Sequence, residues 1–245
     1  MNESPRVVLV GTQHPGNIGS AARAMKTMGL DRLALVAPER FPDPQAYALA
    51  AGAADLIDRA VIFPTLAEAV ADCRLVVATT ARQRSVPMPE FSPREGARRV
   101  REAQPLGATA LVFGRERTGL ENEELQLCHA AIQIPANPEY SSLNLAAAVQ
   151  IVAYEWRLAG PAAPVAVARS ADAFEPPATH AEMESFFAHL SGFLDQIDFH
   201  KGKDPAMVTQ RLRRLFLRAQ PDARELRILR GMFSDTQRLL RAKAE

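Results

Sequence analysis

The feature that most constrains how this chain can fold is a regular alternation of short apolar runs and helical patterns between residues 6 and 160. The apolar runs predict six strands, at residues 6–11, 32–36, 60–63, 75–79, 109–113 and 131–134. Helical patterns fill the intervals, near residues 17–28, 44–51, 65–71, 93–103, 121–128 and 142–159. Because strand–helix–strand order favours parallel pairing, this alternation predicts an α/β fold, with a parallel sheet covered by helices on both faces.

The first predicted helix carries an apolar stripe and one arginine that lies outside it. Ile18, Ala21 and Met25 recur at steps of three and four residues, which is the spacing of one helix face. Arg23 lies off this stripe. Asn17 stands near the start of the helix, where it is suited either to cap the helix or to face a pocket.

The composition of the chain changes near Gly160. Residues 161–178 are rich in Ala and Pro and show no sustained period, which is typical of a linker. Beyond them three further helices are predicted, near residues 179–198, 205–219 and 222–242. The sequence therefore predicts one domain at residues 1–160, a linker at residues 161–178 and a small helical domain at residues 179–245.

The end of the chain is basic. Residues 200–245 carry twelve Lys or Arg against five Asp or Glu. In the middle of the three helices, Arg211, Arg214 and Arg218 recur at the spacing of one face. Such a face can bind a phosphate backbone, and a solvated basic face explains the same pattern equally well.

Several classes of protein are excluded by patterns that the sequence lacks. No segment has the roughly eighteen apolar residues of a membrane helix, and the first apolar run is too short for a signal peptide, so we expect a cytoplasmic protein. Cys73 and Cys128 have no metal-ligand spacing, so we expect no metal site. There is no Gly-Lys-Ser/Thr phosphate loop, and Gly11, Gly16 and Gly19 lack the spacing of a dinucleotide fingerprint.

Four of the predicted strands are followed by loops of polar and small residues. The loops read GTQHPGN, TTARQR, GRERTG and PANPEYSSLN. Ligands of open parallel sheets collect at the carboxyl ends of the strands. We therefore expect the four loops to line one pocket.

Three stretches that contain these loops match a known family, in that family's order. They are HPGNIGSAARAMKTMGL, LVFGRERTGLENEEL and IPANPEYSSLNLAAAVQ, and the match continues in the basic tail at LRRLF and LRILRGM. The chain resembles the SPOUT class of RNA methyltransferases and, within it, the TrmJ-like tRNA ribose 2'-O-methyltransferases. The resemblance spans nearly the whole chain, although Gly11, Thr80 and the loop at residues 86–91 depart from the family pattern.

The resemblance implies a particular fold and cofactor. In this class a C-terminal segment of the sheet domain threads through an earlier loop and forms a trefoil knot, which is a rare exception to unknotted folding. S-adenosylmethionine then binds in the knot, at a homodimer interface. The positions that match the cofactor-binding motifs are Thr79, Thr80, Ala81, Gly114, Gly119, Ile134, Ser141, Ser142, Leu143 and Asn144.

The resemblance also implies a set of catalytic residues, which are Arg23, Asn17, Glu116, Ser142 and Asn144. Arg23 would hold a ribose phosphate bidentately and align the 2'-hydroxyl with the methyl carbon. Glu116 would pair with Arg23 or accept a hydrogen bond from that hydroxyl. For Asn17, Ser142 and Asn144, helix capping is an open alternative, and the general base is unassigned.

The activity that the resemblance implies is ribose 2'-O-methylation of tRNA at nucleotide 32 of the anticodon loop. RNA contacts are expected from Arg23, Arg211, Arg214 and Arg218. No metal is required, because the sulfonium already makes the methyl group electrophilic. Two alternatives stay open, which are a ribosomal RNA substrate and an RNA-binding protein without catalysis.

Overall fold

The computed structural model of the protein describes residues 4–81, 87–160, 176–202 and 204–242. The chain forms two compact units, Met1–Val167 and Ala168–Glu245. The boundary between them falls in the Ala- and Pro-rich segment that the sequence predicts as a linker, most of which lies outside the described residues.

The first unit is an α/β domain. Its strands, within the described ranges, are β1 Arg6–Val10, β2 Leu33–Val36, β3 Val61–Phe63, β4 Cys73–Thr80, β5 Glu90–Phe91, β6 Ala108–Phe113 and β7 Ala130–Gln133. Its helices there are α1 Pro15–Met28, α2 Pro44–Ala50, α3 Ala54–Asp58, α4 Leu66–Ala69, α5 Pro93–Ala103, α6 Asn122–Gln126 and α7 Leu145–Leu158, with a 3₁₀ turn at Gln104–Leu106.

The strands form one sheet in the order β3-β2-β1-β6-β4-β7-β5, and every pairing in it is parallel. The predicted parallel α/β sheet is therefore confirmed. This order makes β1, β6, β4 and β7 neighbours, although they are far apart in sequence. The loops after these four strands consequently emerge side by side at one edge of the sheet.

Both faces of the central strand β1 are buried. Val7 and Leu9 of β1 belong to the apolar core beneath α1, α5 and α7, whereas Val8 and Val10 belong to a second core beneath α4 and α6. Parallel strands covered on both faces read as continuous apolar runs, which is why they stand out in the sequence. Cys73 is buried in the second core, and burial raises the pKa of its thiol to about 12.

Strand β5 and helix α3 are absent from the sequence prediction. Strand β5 has two residues, and it forms by pairing with β7 at the edge of the sheet. Helix α3 has five residues, which is too few for a helical period to be visible. Helix α7 begins at Leu145 rather than at residue 142, because the Asn144 side chain caps it.

The second unit contains, in its described part, the helices α8 His180–Gln196, α9 Pro205–Ala219 and α10 Ala223–Ala242. Aromatic rings form the centre of its core, where the rings of Phe186 and Phe216 lie 4.7 Å apart. Thr179 and Glu182 form a capping box at the start of α8. No helix in the described parts of either unit is long and apolar enough to cross a bilayer.

Candidate active site

The carboxyl edge of the sheet contains a cavity of about 400 Å³. Loops after β4, β6 and β7 line it, together with the first turns of α7. Every residue predicted to bind the cofactor lines the cavity except Asn144, and these residues are Thr79, Thr80, Ala81, Gly114, Gly119, Ile134, Ser141, Ser142 and Leu143.

The loop after β6 is folded back tightly against itself. Arg115 and Gly119 exchange two backbone hydrogen bonds, of 3.2 and 2.9 Å between N and O. A Cβ on Gly114 would lie 2.3 Å from backbone atoms of Gly119 and Leu120, so no other residue fits there without moving the backbone. The glycine at 114 is therefore required by the close approach of the two ends of this loop.

Glu116 of the same loop caps helix α1 from outside the helix. Its carboxylate accepts hydrogen bonds from the backbone N–H groups of Gln13 and His14, at 3.0 and 3.2 Å, and from Asn17 Nδ2 at 2.8 Å. The N-cap residue of α1, His14, offers no side-chain cap of its own. Since the first N–H groups of a helix have no partner within it, the Glu116 carboxylate supplies one and places a negative charge at the positive end of α1.

These contacts fix the charge state of Glu116. Burial by itself raises the pKa of the carboxyl, but the hydrogen bonds from Asn17, from the backbone of Gln13 and from its own N–H outweigh burial, and the pKa lies below its usual value. An ionised carboxylate whose oxygens already accept several N–H groups is a poor proton acceptor. The pairing of Glu116 with Arg23, which the sequence left open, does not form in the described structure.

Asn17 joins two loops and is not the cap of α1, which begins two residues earlier at Pro15. Its Nδ2 donates to Glu116, and its Oδ1 accepts from Asn144 Nδ2 at 3.0 Å. The Asn144 Oδ1 accepts in turn from the N–H groups of Ala146 and Ala147 and so caps α7. The capping alternative is thus wrong for Asn17, whereas Asn144 both caps its helix and contacts Asn17.

The expectation that four strand-end loops line one pocket is wrong for the loop after β1. None of its residues lines the cavity, because Glu116 occupies the space in front of the α1 N-terminus. The loop after β1 instead packs against the GRERTG loop, which lines the cavity. Gly11 lies so close to the Arg115 side chain that an added Cβ would come within 2.6 Å of Nε.

Arg23 does not line the cavity of its own chain. It is exposed on α1 and forms no hydrogen bond or ion pair with any residue that the structure describes. Six residues of helix separate it from Asn17, which corresponds to about 9 Å along the axis and a different face. The structure therefore brings Asn17, Glu116 and Asn144 into contact with one another. Arg23 lies on a different face of α1, exposed and away from these three residues.

The cavity wall also contains residues that the sequence reasoning passed over. The GRERTG loop contributes Arg115, Arg117 and Thr118 to the cavity wall, and Leu120, which follows the loop directly, also lines the cavity. Arg115 binds Glu124 of α6 through both guanidinium nitrogens, at 2.9 and 3.0 Å. The sequence signal for these residues is their position in the GRERTG loop, where the family motif assigns roles only to the glycines and Glu116. Among the described residues, no cluster of three or more His, Cys, Asp or Glu could hold a metal ion.

In the second unit, the predicted basic face of α9 is only partly exposed. Arg211 and Arg218 are exposed, whereas Arg214 is half-buried and its Nε is shielded from solvent. The neighbouring Arg213 forms an ion pair with Glu184 of α8. Exposed arginines that the sequence reasoning did not assign occur on α10, namely Arg224, Arg227, Arg230, Arg238 and Arg241.

Comparison with known families gives two matches that together span both units. Residues 4–154 match the SpoU rRNA Methylase family, and residues 181–245 match the C-terminal domain of the tRNA methyltransferase TrmJ. A tRNA (cytidine/uridine-2'-O-)-methyltransferase TrmJ from Yersinia enterocolitica is 53% identical over 235 residues, which is 95% of this chain and 91% of the relative.

Solved structures give the same correspondence. The crystal structure of TrmJ from Z. mobilis ZM4 is similar with a TM-score of 0.82 and 40% identity, covering 95% of this chain and 99% of that one. The SpoU methyltransferase AviRb from Streptomyces viridochromogenes, in complex with the cofactor AdoMet, shares the fold at a TM-score of 0.50 and 24% identity, over 64% of this chain and 60% of that one.

Proposed function

We propose a function for this protein from the premise that its chain belongs to the SpoU methylase family and, within that family, to the TrmJ tRNA methyltransferases. It is an enzyme that transfers a methyl group from S-adenosylmethionine to the 2'-hydroxyl of a tRNA ribose. The finer assignment is our proposal, in which the target is the cytidine or uridine at nucleotide 32 of the anticodon loop.

The observation that carries this function is the cavity at the carboxyl edge, where two of the three family motifs meet. Its volume of about 400 Å³ lies within the range of roughly 300–1,000 Å³ that small-molecule sites occupy. The polar residues Thr79, Ser141 and Ser142 line the cavity beside apolar Ile134 and Leu120, a mixture that suits a nucleoside with a charged amino-acid tail. The residues present therefore fit the cofactor.

We assign most of the catalytic effect to alignment. S-Adenosylmethionine, when bound, supplies a methyl group made electrophilic by the sulfonium. Asn17, Glu116 and Asn144 act as positioning residues, because their mutual hydrogen bonds hold the β6–α6 loop and the α7 N-terminus in place. Ser142, exposed at the cavity, is available to the ribose or the cofactor. The general base is unassigned in this scheme.

Arg23 is the residue we assign to the ribose phosphate. A guanidinium presents a rigid fork of donors that matches two phosphate oxygens, and it stays protonated at any physiological pH. Its exposure and the lack of a partner among the described residues leave those donors available for RNA. Correct orientation of reacting groups contributes about 7–11 kcal/mol in the best cases, so the loss of one anchor has a large effect.

We also propose a homodimer and a trefoil knot. The exposed face of α7 supports the dimer, because Ala147, Tyr154 and Leu158 repeat at the spacing of one helix face there. The knot is supported by the cavity, which Ser141, Ser142, Leu143 and Leu145 line together with the loop at residues 113–120. In this proposal, residues 1–160 form the methyltransferase domain, 161–178 the linker, and 179–245 an RNA-binding and dimerisation domain.

Methyl transfer from tritiated S-adenosylmethionine to tRNA tests this function. We expect incorporation by the wild type and a loss of about 100-fold or more in kcat for Arg23→Ala, with an unchanged melting temperature. Arg23→Lys keeps the charge but loses the two-pronged contact, so it should restore only a small part of the rate. Full activity of Arg23→Ala would remove Arg23 from the mechanism.

Ribosomal RNA is a second candidate substrate, since the family that matches residues 4–154 is described as rRNA methylases. Offering tRNA and rRNA in parallel, followed by mapping of the modified ribose, distinguishes the two. We expect methylation of tRNA at nucleotide 32. Methylation of rRNA alone would overturn the tRNA assignment, and binding of RNA without transfer to either substrate would indicate a non-catalytic protein.

A further inference from the structure

The GRERTG loop places three consecutive charged side chains at the wall of the cavity, and two of them are already engaged. Arg115 binds Glu124 with both terminal nitrogens, and Glu116 caps α1. Both contacts hold the loop against neighbouring elements. Neither side chain is therefore free to change partners when a ligand arrives, unless the loop itself comes apart.

Arg117 differs from these two neighbours. It is exposed, it lines the cavity, and it forms no hydrogen bond or ion pair with any residue in the described ranges. It is also the middle residue of the three-residue turn between Arg115 and Gly119, whose backbones are bonded to each other. The Arg117 guanidinium, which has no partner among the described residues, therefore lies at the tip of a turn whose two ends are hydrogen-bonded to each other.

The location of this tip favours a ligand that reaches the cavity from solvent. Phe113 and Leu120, at the base of the loop, are buried, whereas Arg117 and Thr118 at the tip are exposed. A nucleotide whose ribose approaches the cofactor at the mouth of the cavity keeps its phosphodiester linkages at the rim, since the rest of the RNA strand continues into solvent. Arginine is well suited to such a contact, because its fork of N–H donors binds phosphate oxygens bidentately.

We infer that Arg117 binds a phosphodiester group next to the target ribose and thereby positions the substrate tRNA at the mouth of the cavity. This role rests on the proposed methyltransferase function. It adds to that function a phosphate contact separate from the one assigned to Arg23. A phosphate contact by Arg117 also explains why Arg115 and Glu116 are bonded to neighbouring elements whereas Arg117 has no partner among the described residues.

The test compares Arg117→Ala with Arg117→Lys and with a control, Arg59→Ala. Arg59 precedes β3, so it lies at the amino edge of the sheet, opposite the cavity, and is bound to Asp55. For each variant the assay measures kcat and KM for tRNA, the Kd for S-adenosylmethionine by calorimetry, the melting temperature, and the dependence of tRNA affinity on salt.

For Arg117→Ala we expect KM for tRNA to rise about tenfold and the slope of log affinity against log salt to fall by about 0.7–0.9, as for one lost phosphate contact. The Kd for the cofactor and the melting temperature should stay at wild-type values. Arg117→Lys should keep the salt slope and recover part of the affinity, because a point charge remains. Arg59→Ala should match the wild type.

Two outcomes would overturn the inference while leaving the proposed function intact. One is an active wild type with unchanged KM and salt slope in Arg117→Ala. The other is a weakened Kd for S-adenosylmethionine with unchanged tRNA affinity, which would make Arg117 a cofactor anchor. If the wild type itself transferred no methyl group to tRNA, the proposed function would fail before the variants were compared.

Discussion

At the scale of single residues, Glu116 shows how little a motif alone says about the role of a side chain. In the sequence it is one carboxylate in a loop, suited to bind Arg23 or a ribose hydroxyl. In the structure its oxygens accept N–H groups from the start of α1 and from Asn17. The family motif predicts a site residue at this position, and the fold shows that Glu116 lines the cavity while its carboxylate binds the start of α1.

The Asn17–Glu116–Asn144 contacts could not have been predicted from spacing. Asn17 lies 99 positions from Glu116 and 127 positions from Asn144. The local sequence pattern indicates which residues begin a helix or follow a strand. It does not indicate which of those residues contact each other in the folded chain. The sequence therefore predicted the members of the site from the family resemblance, whereas their bonding partners follow from the order of the strands.

Replacing Glu116 with Gln tests its role as a cap. Gln keeps the size and one oxygen but removes the charge at the α1 N-terminus, so we expect the free energy of unfolding at pH 7 to fall by about 1 kcal/mol. Because the pKa of Glu116 is lowered in the folded state, its contribution is present above the unfolded pKa of about 4.3 and is lost as the pH falls through the folded pKa.

Denaturant titrations between pH 3 and pH 7 therefore give the sharper comparison. The wild type should lose more stability on acidification than Glu116→Gln, and the two curves should converge as the pH falls through the folded pKa of Glu116. Glu139→Gln is a matched control, since the Glu139 side chain is exposed in the loop before α7, lies outside the first turn of any described helix and forms no bond among the described residues. Parallel curves for wild type and Glu116→Gln would contradict the capping role.

At the scale of secondary-structure elements, the sequence predicts those elements in which burial produces a periodic pattern of apolar residues. It does not predict the short elements that form only because they pair or pack with neighbouring elements. The buried strands read as apolar runs, and α1 reads as an amphipathic stripe. Strand β5 and helix α3 carry no such pattern, because pairing at the sheet edge and packing against α1 and α2 determine them. Helix α7 begins three residues later than predicted because Asn144 caps it, and α1 begins two residues earlier, where the carboxylate of the distant Glu116 accepts its first N–H groups.

Helix α9 provides a test of the predicted RNA contacts. Arg211 and Arg218 are exposed, so the double Ala variant should weaken tRNA binding by about tenfold and flatten its salt dependence. Arg214 is half-buried, so Arg214→Ala should chiefly lower the melting temperature through lost packing. Filter binding at several salt concentrations, together with thermal unfolding, measures both effects.

A double Lys variant at Arg211 and Arg218 is the control for charge. It keeps both positive charges, so its salt dependence should match that of the wild type. Wild-type affinity in the double Ala variant would mean that α9 presents only a solvated basic face. The exposed arginines of α10, such as Arg224 and Arg241, would then be the next candidates for the RNA surface.

At the scale of the whole molecule, strand order explains why the cavity forms at the carboxyl edge of the sheet. The chain builds β1, β2 and β3 toward one edge of the sheet and then returns, so that β6 and β4 lie on the other side of β1. Loops that are distant in sequence are brought together at this reversal, which is where open parallel sheets bind ligands. The alternation of elements predicted the sheet, but it did not determine the order of the strands.

The proposed homodimer is the prediction that belongs to this scale. Tyr154 and Leu158 on α7 are 48% and 57% exposed, and they lie one turn apart on the face opposite the core. Apolar side chains aligned in this way lose water when a second chain covers them, at roughly 25 cal/mol per Å² buried. Changing both residues to Glu should therefore dissociate the dimer, because two charges would be desolvated at its centre.

Light scattering at micromolar concentration, with thermal unfolding alongside it, measures this effect. The wild type should have the mass of two chains, and the Tyr154→Glu, Leu158→Glu variant the mass of one with its fold retained. Ile62→Glu is the matched control, because Ile62 is 52% exposed on the edge strand β3. A control variant that stays dimeric while the α7 variant dissociates would assign the interface to α7, whereas a monomeric wild type, or a double variant that remains dimeric, would contradict this interface.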